Sequence, residues 1–68
     1  MDAEPATAFG ATLIGETEHA ATEALTAAGF SSRIAARDGE RFALTMDWVP
    51  SRINLTINDG LVTNTSIG

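Results

Sequence analysis

The segment RINLTIN at 52–58 constrains the fold more than any other part of the chain. Apolar and polar side chains alternate along it, and a period of two predicts a strand with one buried face. The NDG sequence at 58–60 has the chemistry of a tight hairpin turn. We therefore expect a second, antiparallel strand at 61–67. The predicted buried face of the first strand is Ile53, Leu55 and Ile57, with Asn54 and Thr56 opposite.

A helix is predicted at 18–28. Apolar residues recur there at intervals of three and four and are mostly alanine, which allows a helix to lie close to a sheet. Thr17 is a candidate N-cap. Gly29 followed by Phe30 has the pattern of a Schellman C-terminus. We expect this to be the single helix of the protein.

A long connection separates two of the predicted strands. SRIAAR at 32–37 predicts a strand, and DGER at 38–41 predicts a turn. About 14 residues therefore separate the end of this strand at 37 from the start of the next strand at 52. Such a length allows the two strands to run parallel, while Pro50 and the β-favouring residues before it argue against a helix. Long extended connections are usually functional. The prediction is an α+β fold, in which one helix packs on a small mixed β-sheet with an extended, exposed loop.

The ends and the composition set further limits. Residues 1–8 are small, acidic and interrupted by Pro5, which predicts a disordered tail before a single domain at 9–68. Phe9–Ile14 either packs on the core or forms a further extended segment. The N-terminus lacks the basic and apolar regions of a signal peptide. The location therefore stays open between the cytoplasm and secretion of a processed form.

Charge and composition argue against several kinds of partner. The 68 residues carry a net charge of −5, with nine acids, four arginines and no lysine. Nucleic acids and anionic membranes bind basic patches, which this sequence lacks. No cysteine is present to form a disulfide or a thiolate metal site. We expect a monomer without cofactor or metal, and no nucleic-acid or membrane partner.

No residue pattern predicts an enzyme. His19 is the single histidine, and no pair of acids suggests a catalytic pocket in so small a domain. We expect His19 and its neighbours Glu16, Glu18 and Glu23 to be solvated residues on the helix surface.

The sequence LTMDWVPSRINLTINDGLVTNTSIG at 44–68 resembles the reactive-loop half of the potato inhibitor I family. It is most similar to the bacterial serine-protease inhibitors of that superfamily, whose loop reads approximately V-T-M-D-Y-R-P-D-R-L-N-V. LIGETEHAATEAL at 13–25 is similar to the family's entry into its helix. The resemblance extends over about 13–68. It implies a helix on a small mixed sheet and a loop that docks in a protease cleft like a substrate.

The resemblance also implies the roles of individual residues. Met46 is the primary specificity residue, and Met46–Asp47 is the reactive bond. Methionine suits the apolar pocket of a subtilisin-, chymotrypsin- or elastase-type enzyme, so the implied partner is a serine protease with such a pocket. The implied reactive-site loop is Leu44, Thr45, Met46, Asp47, Trp48, Val49 and Pro50.

Three residues are expected to support this loop: Arg52, Asn54 and Gly68. Arg52 precedes the strand, and its guanidinium can bind a carboxylate or carbonyls. The resemblance implies Asp47 as its partner. Many relatives have a second arginine on the following strand or after the loop aromatic, where this chain has Asn54 and Val49.

Two alternatives remain beside the inhibitor hypothesis. Met46 and Trp48 are also compatible with core positions in a misplaced strand. The same scaffold is also compatible with a non-inhibitory protein-interaction module, which the absence of the second arginine and of a disulfide favours.

Overall fold

The computed structural model describes residues 4–42, 44 and 47–68. Its strands form one mixed sheet in the order β2-β1-β3-β4. The central pair β1 and β3 is parallel, and the two outer pairs are antiparallel. The predicted α+β class and mixed sheet are confirmed. In chain order the elements are α1 (Glu4–Ala11), α2 (Glu18–Ala28), β1 (Ser31–Arg37), β2 (Glu40–Arg41), β3 (Arg52–Asn58) and β4 (Leu61–Ile67).

Helix α2 begins and ends as its sequence predicts. The Thr17 hydroxyl accepts a hydrogen bond from the Ala20 amide at 3.1 Å, which satisfies one of the free donors of the first turn. At the other end, the Phe30 amide donates to the Leu25 carbonyl at 2.9 Å. The Gly29 amide donates to the Leu25 and Thr26 carbonyls. This is the predicted Schellman ending.

The prediction of a single helix is wrong, because α1 precedes α2. Residues 4–8, expected in a disordered tail, lie in α1, whereas 1–3 lie outside the described residues. Pro5 is tolerated in the first turn, where amides have no helical acceptor. A Cβ added to Gly10 would lie 3.0 Å from Thr65 Oγ1 and 3.6 Å from Ile53 Cγ2. Small residues thus let α1 pack closely on β3 and β4, and Phe9–Ile14 is not a strand.

Both helices cover one face of the sheet and enclose the core there. The alternation predicted for β3 is confirmed, since its three apolar side chains are almost completely buried. Phe9 and Phe30 close the edge of the core, with ring centroids 5.4 Å apart. The fully buried large side chains are Leu25, Ile53, Leu55, Ile57 and Val62.

Two Asp-Gly turns lie together at one end of the sheet. Asp38 and Asp59 have positive φ angles of 51° and 52°, as two-residue hairpin turns require. The Asp38 carboxylate accepts a hydrogen bond from the Asp59 amide at 2.8 Å. The predicted turn at 38–41 is shorter than expected, because Glu40–Arg41 is strand β2.

The connection from β2 to β3 runs through residues 42–51. Its described residues are 42, 44 and 47–51, and none of these lies in a helix or a strand. The predicted parallel pairing of β1 with β3 therefore forms without a crossover helix in the described chain. None of the described helices is long and apolar enough to cross a membrane.

Candidate functional site at the root of the loop

The connection enters β3 at the end of the sheet opposite the Asp-Gly turns. Ser31 pairs with Arg52, so β1 and β3 both begin there. β4 runs antiparallel to β3, and Ile67 pairs with Ile53. The last residues of β4 therefore meet the first residues of β1 and β3. We call the residues that converge here the loop root: Arg33, Trp48, Arg52, Asn54 and Gly68.

Arg52 joins the connection to the last residue of the sequence. Its Nε donates to the Gly68 carbonyl at 3.0 Å, and its Nη2 donates to the same oxygen. Nη2 also donates to the Asp47 carbonyl at 3.1 Å and lies 3.4 Å from Asp47 Oδ2. The Arg52 side chain is 17% exposed and the Asp47 side chain 57% exposed. The contact between Arg52 and Asp47 expected from the sequence is present.

A second arginine reaches the loop root from β1. Arg33 Nη2 donates to the Gly68 carbonyl at 3.1 Å, and Arg33 Nε donates to Asn54 Oδ1 at 2.8 Å. Asn54 is only 5% exposed although it lies on the face away from the helices. Sequence reasoning missed Arg33, because it considered a second arginine only on β3 or in the connection. The signal was the parallel register, which places Arg33 opposite Asn54.

Gly68 is held by its backbone and packs against Trp48. Its amide donates to the Arg52 carbonyl at 3.1 Å. Its φ is 124°, and an added Cβ would lie 3.0 Å from Trp48 Cδ1. Trp48 is nevertheless 60% exposed. Its indole therefore rests on Gly68 with one part and presents the larger part to solvent.

The residues just before β3 are fixed by backbone hydrogen bonds. The Arg52 amide donates to the Val49 carbonyl at 3.1 Å, closing a turn around Pro50. The Ser31 amide donates to the Ser51 carbonyl at 3.1 Å. Val49, Pro50 and Ser51 are half-buried. This half of the connection is thus continuous with the sheet.

Phe42 and Leu44, the described residues of the first half of the connection, lie beside the uncovered face of the sheet. The Phe42 amide donates to the Ala35 carbonyl at 3.0 Å. Phe42 and Leu44 are 37% and 41% exposed, and they border a shallow depression over Thr56. Thr45 and Met46 lie outside the described residues, and with them the predicted reactive bond. An extended, exposed reactive-site loop therefore stays a prediction.

The described part of the chain contains no cluster of metal-ligand side chains. Among the described residues no group of three His, Cys, Asp or Glu side chains is placed to hold a metal ion. His19 contacts Glu23 at 3.2 Å on the exposed surface of α2, with side-chain exposures of 83% and 70%. Both occupy the solvated helix surface expected from the sequence.

The chain matches no protein-family model, and neither curated proteins nor solved structures give a match. A functional proposal therefore depends on the loop sequence and on the geometry of the loop root.

Proposed function

We propose that this protein is a reversible, substrate-like inhibitor of a serine protease, with Met46–Asp47 as its reactive bond. The observation that carries the proposal is the contact of one guanidinium with both Asp47 and Gly68. Arg52 Nη2 binds the Asp47 carbonyl at 3.1 Å, and Arg52 Nε binds the Gly68 carbonyl at 3.0 Å. The residue after the proposed reactive bond is thereby tied to the sheet.

This arrangement suits an inhibitor for two physical reasons. A loop that is ordered before binding loses little conformational entropy when it docks, so more of its contact energy contributes to affinity. Both partners of Arg52 also lie on the Asp47 side of the bond. If a protease cleaves after Met46, the new Asp47 amine stays close to the acyl group, and religation competes with hydrolysis.

The flanking side chains define the class of target. Met46 suits an apolar specificity pocket, whereas a trypsin-type pocket selects Lys or Arg. On the other side of the bond, the mostly exposed Trp48 offers a large aromatic contact, and aromatic residues often dominate the affinity of interfaces. The proposed target is a subtilisin-, chymotrypsin- or elastase-type enzyme.

A panel of serine proteases tests the proposal. The protein is titrated against subtilisin-, chymotrypsin-, elastase- and trypsin-type enzymes, with Met46→Gly and Ile14→Gly in parallel. Ile14 is the control, because it is an apolar side chain that is 48% exposed and lies in the turn between α1 and α2. Loss of a central interface anchor corresponds to about 2–4 kcal/mol, or roughly 30- to 1,000-fold weaker inhibition.

The expected result is inhibition of at least one enzyme with an apolar pocket, a strong loss in Met46→Gly and parent behaviour in Ile14→Gly. Equal inhibition by the parent and Met46→Gly would refute Met46 as the specificity residue. Absence of inhibition across the panel would refute the function.

A non-inhibitory interaction module is the second candidate. Exposed Phe42 and Leu44 beside the depression on the uncovered sheet face favour it. In that case affinity capture recovers a partner that is not a protease. Phe42→Ser then abolishes the capture, whereas Met46→Gly leaves it unchanged.

A further inference from the structure

We propose that Arg33 is a positioning residue of the reactive-site loop and that β1 supplies the second arginine that holds it. This inference rests on the proposed inhibitory function. The loop sequence alone does not indicate this role, because Arg33 is 14 positions before Asp47 and lies on β1.

The Gly68 carbonyl is the point at which the two arginines meet. It accepts hydrogen bonds from Arg33 Nη2 at 3.1 Å and from Arg52 Nε at 3.0 Å. Arg52 Nη2 donates to the same oxygen. Because a carbonyl oxygen has two lone pairs, the two guanidinium groups can bind it from two directions. Hydrogen bonds from a charged donor are roughly twice as strong as neutral ones. Two guanidinium groups therefore fix the position of one backbone oxygen.

Asn54 occupies a position where many members of the resembled family have the second arginine, but here it orients Arg33 and does not itself bind Gly68 in the described contacts. Its Oδ1 accepts from Arg33 Nε at 2.8 Å, and its Nδ2 lies 3.5 Å from Ser66 Oγ. The amide therefore accepts from the arginine, with its oxygen toward β1 and its nitrogen toward β4. Because Asn54 is buried, its fixed amide also limits the rotation of the Arg33 side chain.

Through Gly68, Arg33 acts on the loop at two places. Arg52 uses one guanidinium for Gly68 and Asp47, so a displaced Gly68 carbonyl also shifts the arginine that holds Asp47. Trp48 packs on the Gly68 α-carbon. Movement of Gly68 therefore also loosens the indole. Arg33 thus acts on the loop by fixing the position of Gly68.

Arg37 provides a matched control on the same strand. The register of β1 against β3 shifts by one residue between Ile34 and Ala36. After this shift, the Arg37 guanidinium donates to the Glu18 carboxylate of α2 at 2.8–3.2 Å. Arg33 and Arg37 are thus both β1 arginines with bound partners. One contacts the loop root, and the other contacts a helix.

The experiment compares Arg33→Met, Arg33→Lys and Arg37→Met with the parent. Three quantities are measured: inhibition of the protease found in the panel, the rate of cleavage after Met46, and acrylamide quenching of Trp48, the sole tryptophan. Circular dichroism verifies folding. We expect Arg33→Met to be cleaved roughly tenfold faster and its indole to be more readily quenched. Arg37→Met should behave as the parent, and Arg33→Lys should be intermediate, because an ammonium does not reproduce the guanidinium fork.

The outcomes separate this inference from the proposed function. If the parent inhibits but Arg33→Met and Arg37→Met show equal cleavage and equal quenching, Arg33 has no positioning role, and the inhibitor function stands. If the parent inhibits no protease, the function fails, and Trp48 quenching alone decides on Arg33. An increase in Trp48 quenching in Arg33→Met alone supports the proposal that Arg33 acts on Trp48 through Gly68. Unchanged quenching in Arg33→Met refutes it. Should Arg33→Met not fold, the same measurements on Arg33→Lys decide.

Discussion

The helix-covered face of the sheet and the loop root are stabilised by different forces, although both depend on β3. On the helix side, apolar chains such as Ile53 and Leu55 are removed from water. At the loop root, Arg33 and Arg52 donate charged hydrogen bonds to one carbonyl of Gly68. A single strand serves both regions, because its side chains alternate between the two faces.

The comparison implies that global stability and loop order are separable. Truncation of a buried large apolar side chain to alanine typically costs the whole fold about 2–5 kcal/mol. A hydrogen bond to a charged group contributes about 1.5–3 kcal/mol, and at the loop root this acts mainly on the connection. Segments with few buried apolar contacts open locally without global unfolding. Substitutions in the two regions should therefore affect different measurements.

The largest effect is expected from Leu25→Ala in the core. Leu25 is fully buried between α2 and the sheet, so the substitution should remove about 3 kcal/mol of unfolding free energy. For a domain of this size, that lowers the Tm by roughly 12–24 °C. Thermal and urea unfolding followed by circular dichroism measure the loss.

The same variant tests whether the regions are separable. At a temperature where Leu25→Ala is still folded, its cleavage after Met46 should proceed at the parent rate. Faster cleavage of the folded protein would show that the core and the loop root are coupled, and would break the comparison.

Arg52→Ala should have the next largest effect, and it should act on the loop. The substitution removes the bonds to the Gly68 and Asp47 carbonyls. A loss of about 2 kcal/mol of loop stabilisation corresponds to roughly 30-fold faster cleavage after Met46. Under the proposed function, the protein should turn from an inhibitor towards a substrate, with a smaller loss of Tm than Leu25→Ala.

Arg41→Ala is the control for Arg52→Ala, because Arg41 is an exposed arginine on β2. Its cleavage rate should equal that of the parent. If Arg52→Ala is cleaved no faster than Arg41→Ala during incubation with catalytic protease, Arg52 does not hold the loop.

The sequence predicted those elements whose causes are local. The alternation in β3, the hairpin at 58–60 and both ends of α2 are encoded within a few neighbouring residues. Helix α1 was missed, because its small residues and Pro5 were interpreted as a tail, although Ala6 and Phe9 recur at helical spacing and pack on the core. The close approach of Gly10 to Thr65 is a further, tertiary contact that the sequence does not indicate.

In the candidate site too, the contact between residues close in sequence was predicted, and the contact between distant residues was not. Asp47 and Arg52 are five residues apart, and the family resemblance was sufficient to pair them. Arg33 and Asn54 are 21 residues apart. Their contact depends on the register of two parallel strands, which hydrophobic patterning alone does not specify. Consequently Asn54 was expected to support the loop, but its contact with Arg33 was not anticipated.

The smallest effect is expected from Gly68→Ala. This variant adds a single carbon atom at the loop root and leaves the core unchanged. An added Cβ would lie 3.0 Å from Trp48 Cδ1, and the φ of 124° is unfavourable for alanine. Either the indole moves, or the backbone rotates and its carbonyl leaves the two arginines. We expect about 1 kcal/mol of strain, equivalent to roughly fivefold faster cleavage after Met46.

Gly15→Ala separates the contact with Trp48 from backbone strain. Gly15 has a φ of 91°, and nothing lies within 4 Å of an added Cβ. Both variants should lose some thermal stability, because both force alanine into an unfavourable conformation. Only Gly68→Ala should raise the acrylamide quenching of Trp48 and the cleavage rate. If both variants raise them equally, the loop responds to global destabilisation, and the loop root is not an independent unit.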